Sequence, residues 1–447
     1  MKVKLRRVLS ETESVCPICL ERISAKRVMD GKSVFLEKTC PEHGDFRVQI
    51  WGGHLPFSSW ERPKNPSVPI NPAESVQKGC PYDCGLCPDH RQHSCCVLLE
   101  ITKRCNLGCP VCFASSGEPS PDPDFDELLE QLRDMLSHGG PFNIQLSGGE
   151  PTMRDDLPEL IKAGKEMGYI FFQLNTNGIR LATESGYAQK LADSGLDCVF
   201  LQFDGVTDSV YIKTRGRALM EQKEAAVAAC RAAGLGVVLV PTVCQDINTH
   251  EIGAILDFAA KNMPCVRGVH FQPMAYFGRY PEPPPEKRFT LSHLLWEIES
   301  QTSGRMKMEN FSPGGAENAY CSFSGNFFVY PDGSVKPWNN QNSCSCGSSV
   351  PSAGERAAQS RKFVAKAWSG AKSDVRSRSE QTASLDDFLE SINTRSLAVS
   401  AMAFMDAWTL DLNRLKDCYI HVSSGKKLIP FCAFNLTSQD GRSIYRI

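Results

Sequence analysis

The sequence contains no apolar run long enough to cross a bilayer. Its best stretch, Leu235 to Val243, is interrupted by Pro241. It also lacks a surplus of either charge: 49 Lys and Arg against 51 Asp and Glu leave a formal net charge of -2, which gives no electrostatic basis for holding nucleic acid. Met1 to Arg7 is basic, yet a polar stretch follows where a secretory signal would carry an apolar core. The expectation is therefore a cytoplasmic protein without a leader. What remains is a chain of 447 residues, 41% hydrophobic and 22% charged. That is the make-up of an ordinary globular protein with room for about two or three domains.

Cysteine is the residue in excess, with 20 in the chain. Eleven precede residue 113: Cys16, Cys19, Cys40, Cys80, Cys84, Cys87, Cys95, Cys96, Cys105, Cys109 and Cys112. In a small secreted domain such density signals disulfides. Here short-spaced sets in a long chain favour metal ligation in a reducing compartment.

Residues 1–60 read as a metal-binding ribbon, rubredoxin-like or zinc-ribbon-like, with strand patterns such as Ser33 to Leu36 and Phe46 to Ile50. Residues 61–96 form a linker punctuated by Pro63, Pro66, Pro69 and Pro72, followed by a three-cysteine motif. From residue 97 to 285 strands and helices alternate. Predicted strands lie at Val97–Thr102, Asn143–Ser147, Ile170–Asn175, Cys198–Phe203, Gly236–Thr242 and Gly268–Gln272. Predicted helices lie at Asp124–Ser137, Asp155–Met167, Glu184–Ser194, Leu219–Ala233 and Thr249–Lys261. The expected fold is α/β, with a parallel sheet closed into a partial (β/α)6 barrel or doubly wound, and with its chemistry on the loops after the strands. Residues 286–447 hold five more cysteines, Cys321, Cys344, Cys346, Cys418 and Cys432, and a Ser-, Ala- and Arg-rich stretch at Gly347–Thr382 read as a partly helical insert or loop.

Cys105, Cys109 and Cys112 follow the first barrel strand at a spacing that can grip three irons of a four-iron cluster and leave the fourth without a protein ligand. A zinc knuckle is the plainer alternative. Ser147-Gly148-Gly149-Glu150 follows the second strand. Two glycines there let backbone approach a ligand closely, and Glu150 offers an acceptor to an ammonium group. Cys80, Cys84 and Cys87 repeat the spacing before the barrel and suit a second cluster, with Cys95 or Cys96 as fourth ligand, or a zinc site. Cys16, Cys19, Cys40 and His43 form a two-plus-two set for one tetrahedral iron or zinc. The five C-terminal cysteines are candidates for a further cluster; buried free thiols are the alternative. Cys198, Cys230, Cys244 and Cys265 read as core.

The order of the Cys105 claw and the Gly148-Gly149-Glu150 loop resembles the radical S-adenosylmethionine superfamily over about residues 97 to 275. Beyond the barrel, Cys16-Pro-Ile-Cys19, Lys38 to Gly44, Gly79 to His90 and Leu428 to Thr437 resemble a narrower group, the archaeal tetraether lipid synthases and the radical methylases of a hydroxymethylpterin. This resemblance implies several 4Fe-4S clusters, catalytic and auxiliary, together with S-adenosylmethionine and one mononuclear iron or zinc. It implies that the open iron binds the cofactor's amino and carboxylate groups, and that one electron releases a 5′-deoxyadenosyl radical. Asn175, Asn177, Asp204 and Gln272, at strand ends, become candidate contacts to the cofactor; as Asn-Gly and Asp-Gly pairs, the middle two also suit plain turns. The expected reaction is C–C bond formation at unactivated carbons, of lipid chains in the first reading and of a hydroxymethylpterin in the second. A zinc-ribbon scaffold or electron carrier is the reading outside enzymes. Expected partners are a small-molecule or lipid substrate and an external donor such as ferredoxin or flavodoxin. A lipid substrate would require peripheral membrane contact, and no strong amphipathic helix is visible.

Overall fold

The computed structural model describes residues 6–117, 121–280, 282–338, 350–370, 392 and 394–446. Four N-terminal strands, β1 (Arg6–Val15), β2 (Arg22–Asp30), β3 (Ser33–Cys40) and β4 (Gly44–Trp51), make an antiparallel meander. Each strand alternates, as a half-buried sheet requires. Val15, Ala25, Leu36 and Val48 face inward and pack with Leu98, Val422 and Phe431 of the main body.

The main sheet is built on β5 (Cys96–Thr102), β6 (Asn143–Gly148), β7 (Phe172–Thr176), β8 (Cys198–Gln202), β9 (Gly236–Val240) and, after the two-residue β10 (Thr242–Val243), β11 (Val266–Pro273). Strands β5-β6-β7-β8-β9-β11 are parallel neighbours in that order, so the predicted partial (β/α)6 barrel is what the chain forms. Between them run α1 (Phe125–Ser137), α2 (Leu157–Glu166), α3 (Ile179–Thr183), α4 (Tyr187–Asp193), α5 (Asp208–Arg215), α6 (Met220–Ala232) and α7 (Ile252–Lys261). Helix α1 shows why: Leu128, Leu132 and Met135 form the single buried stripe of an otherwise acidic segment. The helix predicted at Glu184–Ser194 starts later, at Tyr187, because Gly186 sits at φ 78° and breaks it from α3. Helices α3 and α5 were not foreseen. Both are short, and α5 buries only Val210, Tyr211 and Thr214.

The C-terminal third returns to the same sheet. After α8 (Leu291–Gln301) and the short β12 (Ser312–Pro313), β13 (Ser322–Val329) and β14 (Val335–Pro337) form a hairpin that turns at Pro331-Asp332-Gly333. Helix α9 (Ala353–Trp368) arises within the Ser- and Arg-rich stretch and opens with a capping box between Ser352 and Glu355. Residues 347–349 and 371–382 of that stretch, and Cys344 and Cys346, lie outside the described residues. Strand β15 (Ser396–Met402) adds parallel to β11, with β13 antiparallel beyond it. At the opposite edge β16 (Ile420–Ser424) adds parallel to β5, and β17 (Lys427–Pro430) pairs with β16. Both open edges of the barrel sheet are thereby covered. No helix among the described residues is long and apolar enough to cross a membrane.

Candidate active site

The loop after β5 carries Cys105, Cys109 and Cys112, and all three line one cavity of about 280 Å³ that occupies the barrel interior. Arg279 pins this loop. Its Nε donates to Cys109 O at 3.0 Å, and its backbone exchanges hydrogen bonds with Cys112 at 2.9 and 3.0 Å. Burial pushes the Cys105 thiol up to about 11, with the charges of Glu150, Cys109 and Cys112 adding to the effect.

The loop after β6 lies against this claw. Gly149 N donates to Thr102 O and Glu150 N to Arg104 O, each at 2.8 Å. A Cβ on Gly148 would stand 2.2 Å from Thr102 O, and one on Gly149 would stand 2.1 Å from Arg104 O. These glycines are required by the close approach of the claw's own backbone. Glu150 has protein partners of its own. Its buried carboxylate accepts from Thr152 N (3.1 Å), Thr152 Oγ1 (2.6 Å) and Thr176 Oγ1 (2.7 Å) on Oε1, and from Asn177 N (2.7 Å) on Oε2. It ties the loops after β6 and β7 together, and only Oε2 keeps acceptor capacity for a ligand.

The cavity wall follows the pleat of the strands: Cys96 and Leu98, then Asn143, Gln145 and Ser147, then Gln173 and Asn175, then Phe200 and Gln202, then Val240 and Thr242, then His270 and Gln272. Residues two apart on each strand face inward. Ser147, Asn175, Asn177 and Gln272 therefore stand at the cavity together with Gly148, Gly149 and Glu150. Asn175 accepts from Gln145 at 2.6 Å and donates to Ser147 Oγ at 3.4 Å. Asn177 Nδ2 donates to Asn106 of the claw at 2.6 Å.

Asp204 departs from expectation. It is fully buried, does not line the cavity, and is bound in a fork by Arg215, Nε to Oδ2 at 2.6 Å and Nη2 to Oδ1 at 3.0 Å. Arg215, which does line the cavity, was missed because it ends the unforeseen α5. Lys223 was missed too. It is fully buried, donates to Asn177 O and Gln202 Oε1, and is lowered to about 7 chiefly by burial. One signal was available for the amides: a buried parallel strand should read as nearly continuous apolar residues, and Asn143, Gln145, Gln173, Gln202 and His270 interrupt that run at alternate positions.

The other cysteine sets separate. Cys16, Cys19, Cys40 and His43 place their ligand atoms within 4.8 Å of one another, with Cys16–His43 at 3.6 Å, Cys19–Cys40 at 3.9 Å and Cys40–His43 at 3.4 Å. A tetrahedral ion with metal–sulfur bonds of about 2.3 Å sets its sulfurs about 3.8 Å apart, so the ribbon fits one such ion. No other group of three among the described residues is that tight. The claw thiols form no group that tight, and a four-iron cage would offer each thiolate its own iron. Cys80, Cys84 and Cys87 are buried in a loop held by Tyr445, whose hydroxyl accepts from Cys84 N at 2.9 Å, and by Asp83, which accepts from Gln77 N and Gly79 N at 2.7 Å. Cys96 does not join them. As the first residue of β5 it faces the barrel cavity and donates to Gln145 Oε1 at 3.5 Å, which removes it as their fourth ligand. Cys321, Cys418 and Cys432 do gather. Burial and the charges of Cys418 and Cys321 push Cys432 up, and Arg414 Nη2 donates to Cys321 Sγ at 3.3 Å. Cys198, Cys230, Cys244 and Cys265 are buried, as read from the sequence.

Residues 99–259 match the Radical SAM superfamily, and residues 8–52 match the HMPTM N-terminal zinc ribbon domain. The chain is 32% identical over 482 residues to the 7,8-dihydro-6-hydroxymethylpterin dimethyltransferase of Methanocaldococcus jannaschii, covering 95% of this chain and 93% of that one. It is 32% identical over 169 residues to the GTP 3′,8-cyclase of Erythrobacter litoralis, covering 36% of this chain and 50% of that one. Among solved structures, SuiB of Streptococcus suis bound to S-adenosylmethionine is 17% identical with a TM-score of 0.40, covering 48% of each chain. The claw, the loop that cradles it and the ribbon thus belong together: this chain is a member of the radical S-adenosylmethionine superfamily and of the family that includes the archaeal hydroxymethylpterin dimethyltransferase.

Proposed function

We propose that the protein is a radical S-adenosylmethionine methyltransferase whose substrate is a 7,8-dihydro-6-hydroxymethylpterin or a close analogue. The cavity wall carries this reading. Seven carboxamides, Asn143, Gln145, Gln173, Asn175, Asn177, Gln202 and Gln272, line the cavity. The Gln173 carboxamide, Asn143 Oδ1 and Gln202 Nε2 have no hydrogen-bond partner among the described residues; a lipid tail would leave these groups unpaired at about 1–3 kcal/mol each, whereas a flat ring edged with donors and acceptors can pair such groups. The full-length likeness to a pterin methylating enzyme supports the same reading over the lipid-coupling one that the sequence first suggested.

Cys105, Cys109 and Cys112 would hold the catalytic cluster, with the backbone of Gly148 and Gly149, Ser147, Asn175, Asn177 and Gln272 around the cofactor, and Arg215 beside them. When bound, the cluster and S-adenosylmethionine supply a radical able to take hydrogen from an unactivated carbon. Cys80, Cys84 and Cys87, and separately Cys321, Cys418 and Cys432, would hold auxiliary clusters, the ribbon a zinc or iron ion, and an external ferredoxin or flavodoxin would supply electrons. Asp204 would act by fixing Arg215 and the Thr242 backbone beside it.

A second reading, an apolar chain as substrate, rests on the phenyl cluster of Phe113, Phe277, Phe404 and Phe431 on the cavity's other wall. Product analysis decides. The reduced, cluster-loaded enzyme is incubated with 6-hydroxymethyl-7,8-dihydropterin, S-adenosylmethionine and a folate-type one-carbon donor, and in parallel with archaeal diether lipid. Methylated pterin is expected by mass spectrometry; coupled lipid without methylated pterin overturns the reading.

A further inference from the structure

We propose that the substrate's ring sits at the base of the barrel cavity, hydrogen-bonded by His270 and Gln173 and laid against Phe200 and Trp368, and that these four side chains set substrate specificity. The proposal rests on the pterin reading only for the choice of probe. His270 and Gln173 are 8% and 3% exposed, and both line the cavity. His270 Nδ1 meets Ser400 Oγ at 2.8 Å, while its Nε2 has no partner among the described residues. The Gln173 carboxamide hydrogen-bonds to nothing among them either. Buried polar groups are normally paired, so two open ones facing one cavity mark a place where a ligand completes the pairing. Burial lowers His270 to about 4, so it meets the ligand as a neutral imidazole.

The wall beside them is aromatic. Phe200 lies 5.4 Å from Trp368 and 5.5 Å from His270 between ring centroids, and His270 lies 6.0 Å from Trp368. Trp368 is the last residue of α9, so the barrel borrows this ring from the Ser- and Arg-rich insert. The helix is fixed in place. Arg361 Nη1 donates to Ser94 O at 2.7 Å, and Asn143 Nδ2 donates to Arg361 O at 3.1 Å. A Cβ at Gly236 would stand 2.2 Å from Trp368 O, so only glycine lets the helix end seat there. Gln173 lies about 10 Å along β7 below the loop at Thr176, which sets this seat apart from the claw. Aromatic faces hold flat rings by stacking, and an imidazole with a carboxamide reads a ring edge that carries both donors and acceptors.

The test is equilibrium binding of 6-hydroxymethylpterin, followed by its own fluorescence, to the cluster-loaded enzyme and to its Trp368→Leu, Gln173→Leu and His270→Gln variants, with melting temperature and iron content confirming that each variant is intact. Trp368→Leu and Gln173→Leu are expected to weaken binding about 10-fold or more, with His270→Gln, which keeps a hydrogen-bonding side chain, affected less. If the wild type binds the pterin and all three variants bind it equally well, this seat is wrong and the pterin reading stands. If the wild type ignores the pterin but binds guanosine, and the variants lose guanosine, the seat stands and the pterin reading falls. Binding of neither overturns both.

Discussion

Arg215 grips Asp204 with two prongs of its guanidinium, at 2.6 and 3.0 Å, and presents the rest of that group to the cavity that Cys109 lines. Burial alone would raise the Asp204 carboxyl; the charge and hydrogen bonds of Arg215 override it and hold the group below the usual carboxylate range. The pair, neutral overall, therefore fixes the Arg215 guanidinium at the cavity wall through a residue that does not itself line the cavity.

Asp204→Asn should lower stability by about 3–5 kcal/mol, the cost of leaving a buried partner charge uncompensated. The effect has a definite pH signature. A carboxyl whose folded pKa is depressed contributes stability that is fully present above the unfolded value of about 3.9 and is lost as pH falls through the folded one. Urea midpoints of the wild type and the variant should accordingly converge below about pH 4 and differ at neutral pH. A difference that stays constant with pH would show that the Asp204 charge is not its source, and coincident curves would show that the pair contributes nothing.

Gly149→Ala should disable the site without unfolding the chain. The added methyl would meet Arg104 O at 2.1 Å, and that atom belongs to the claw backbone, so the claw must shift. Iron bound per chain should fall by about one four-iron cluster and 5′-deoxyadenosine formation should drop by at least about 10-fold, while far-ultraviolet circular dichroism stays unchanged. Wild-type iron content would show that the contact is tolerated.

The ribbon should lose its metal alone. Cys40→Ser removes one of the four ligands gathered within 4.8 Å, and metal analysis should find one zinc or iron ion fewer per chain with the claw's iron retained. Because the ribbon is bonded to the body through Thr12 and Arg27, both on Asp411, its loosening should also lower the melting temperature by several degrees, as loss of structural metals does. An unchanged melting temperature would mean that the ribbon holds without its ion.

Much of this site was legible because cluster and ribbon ligands must recur at fixed short spacings, so Cys105, Cys109 and Cys112 and the Cys16 set stood out at once. The barrel strands were legible from their apolar runs. What escaped depended on contacts between distant segments. Arg215 looked like one more surface cation on a short polar stretch until Asp204 was seen to hold it. Cys96 lies close to Cys87 in sequence but points into the barrel, because its place is fixed by β5 and not by the loop before it. Cys321, Cys418 and Cys432 meet only because β13, β15 and β16 return to the two edges of one sheet. That Gly148 and Gly149 also accommodate the backbone of the claw shows only in the fold, since Thr102 and Arg104 lie more than 40 residues away in sequence.

The claim that the Cys105, Cys109 and Cys112 loop is where the radical is made can be tested most directly by 5′-deoxyadenosine formation from S-adenosylmethionine and dithionite, comparing Cys105→Ala with Cys80→Ala. The account predicts that Cys105→Ala makes none while Cys80→Ala still cleaves the cofactor. Wild-type 5′-deoxyadenosine from Cys105→Ala, with its loss in Cys80→Ala, would contradict it and move the chemistry to the other cluster motif.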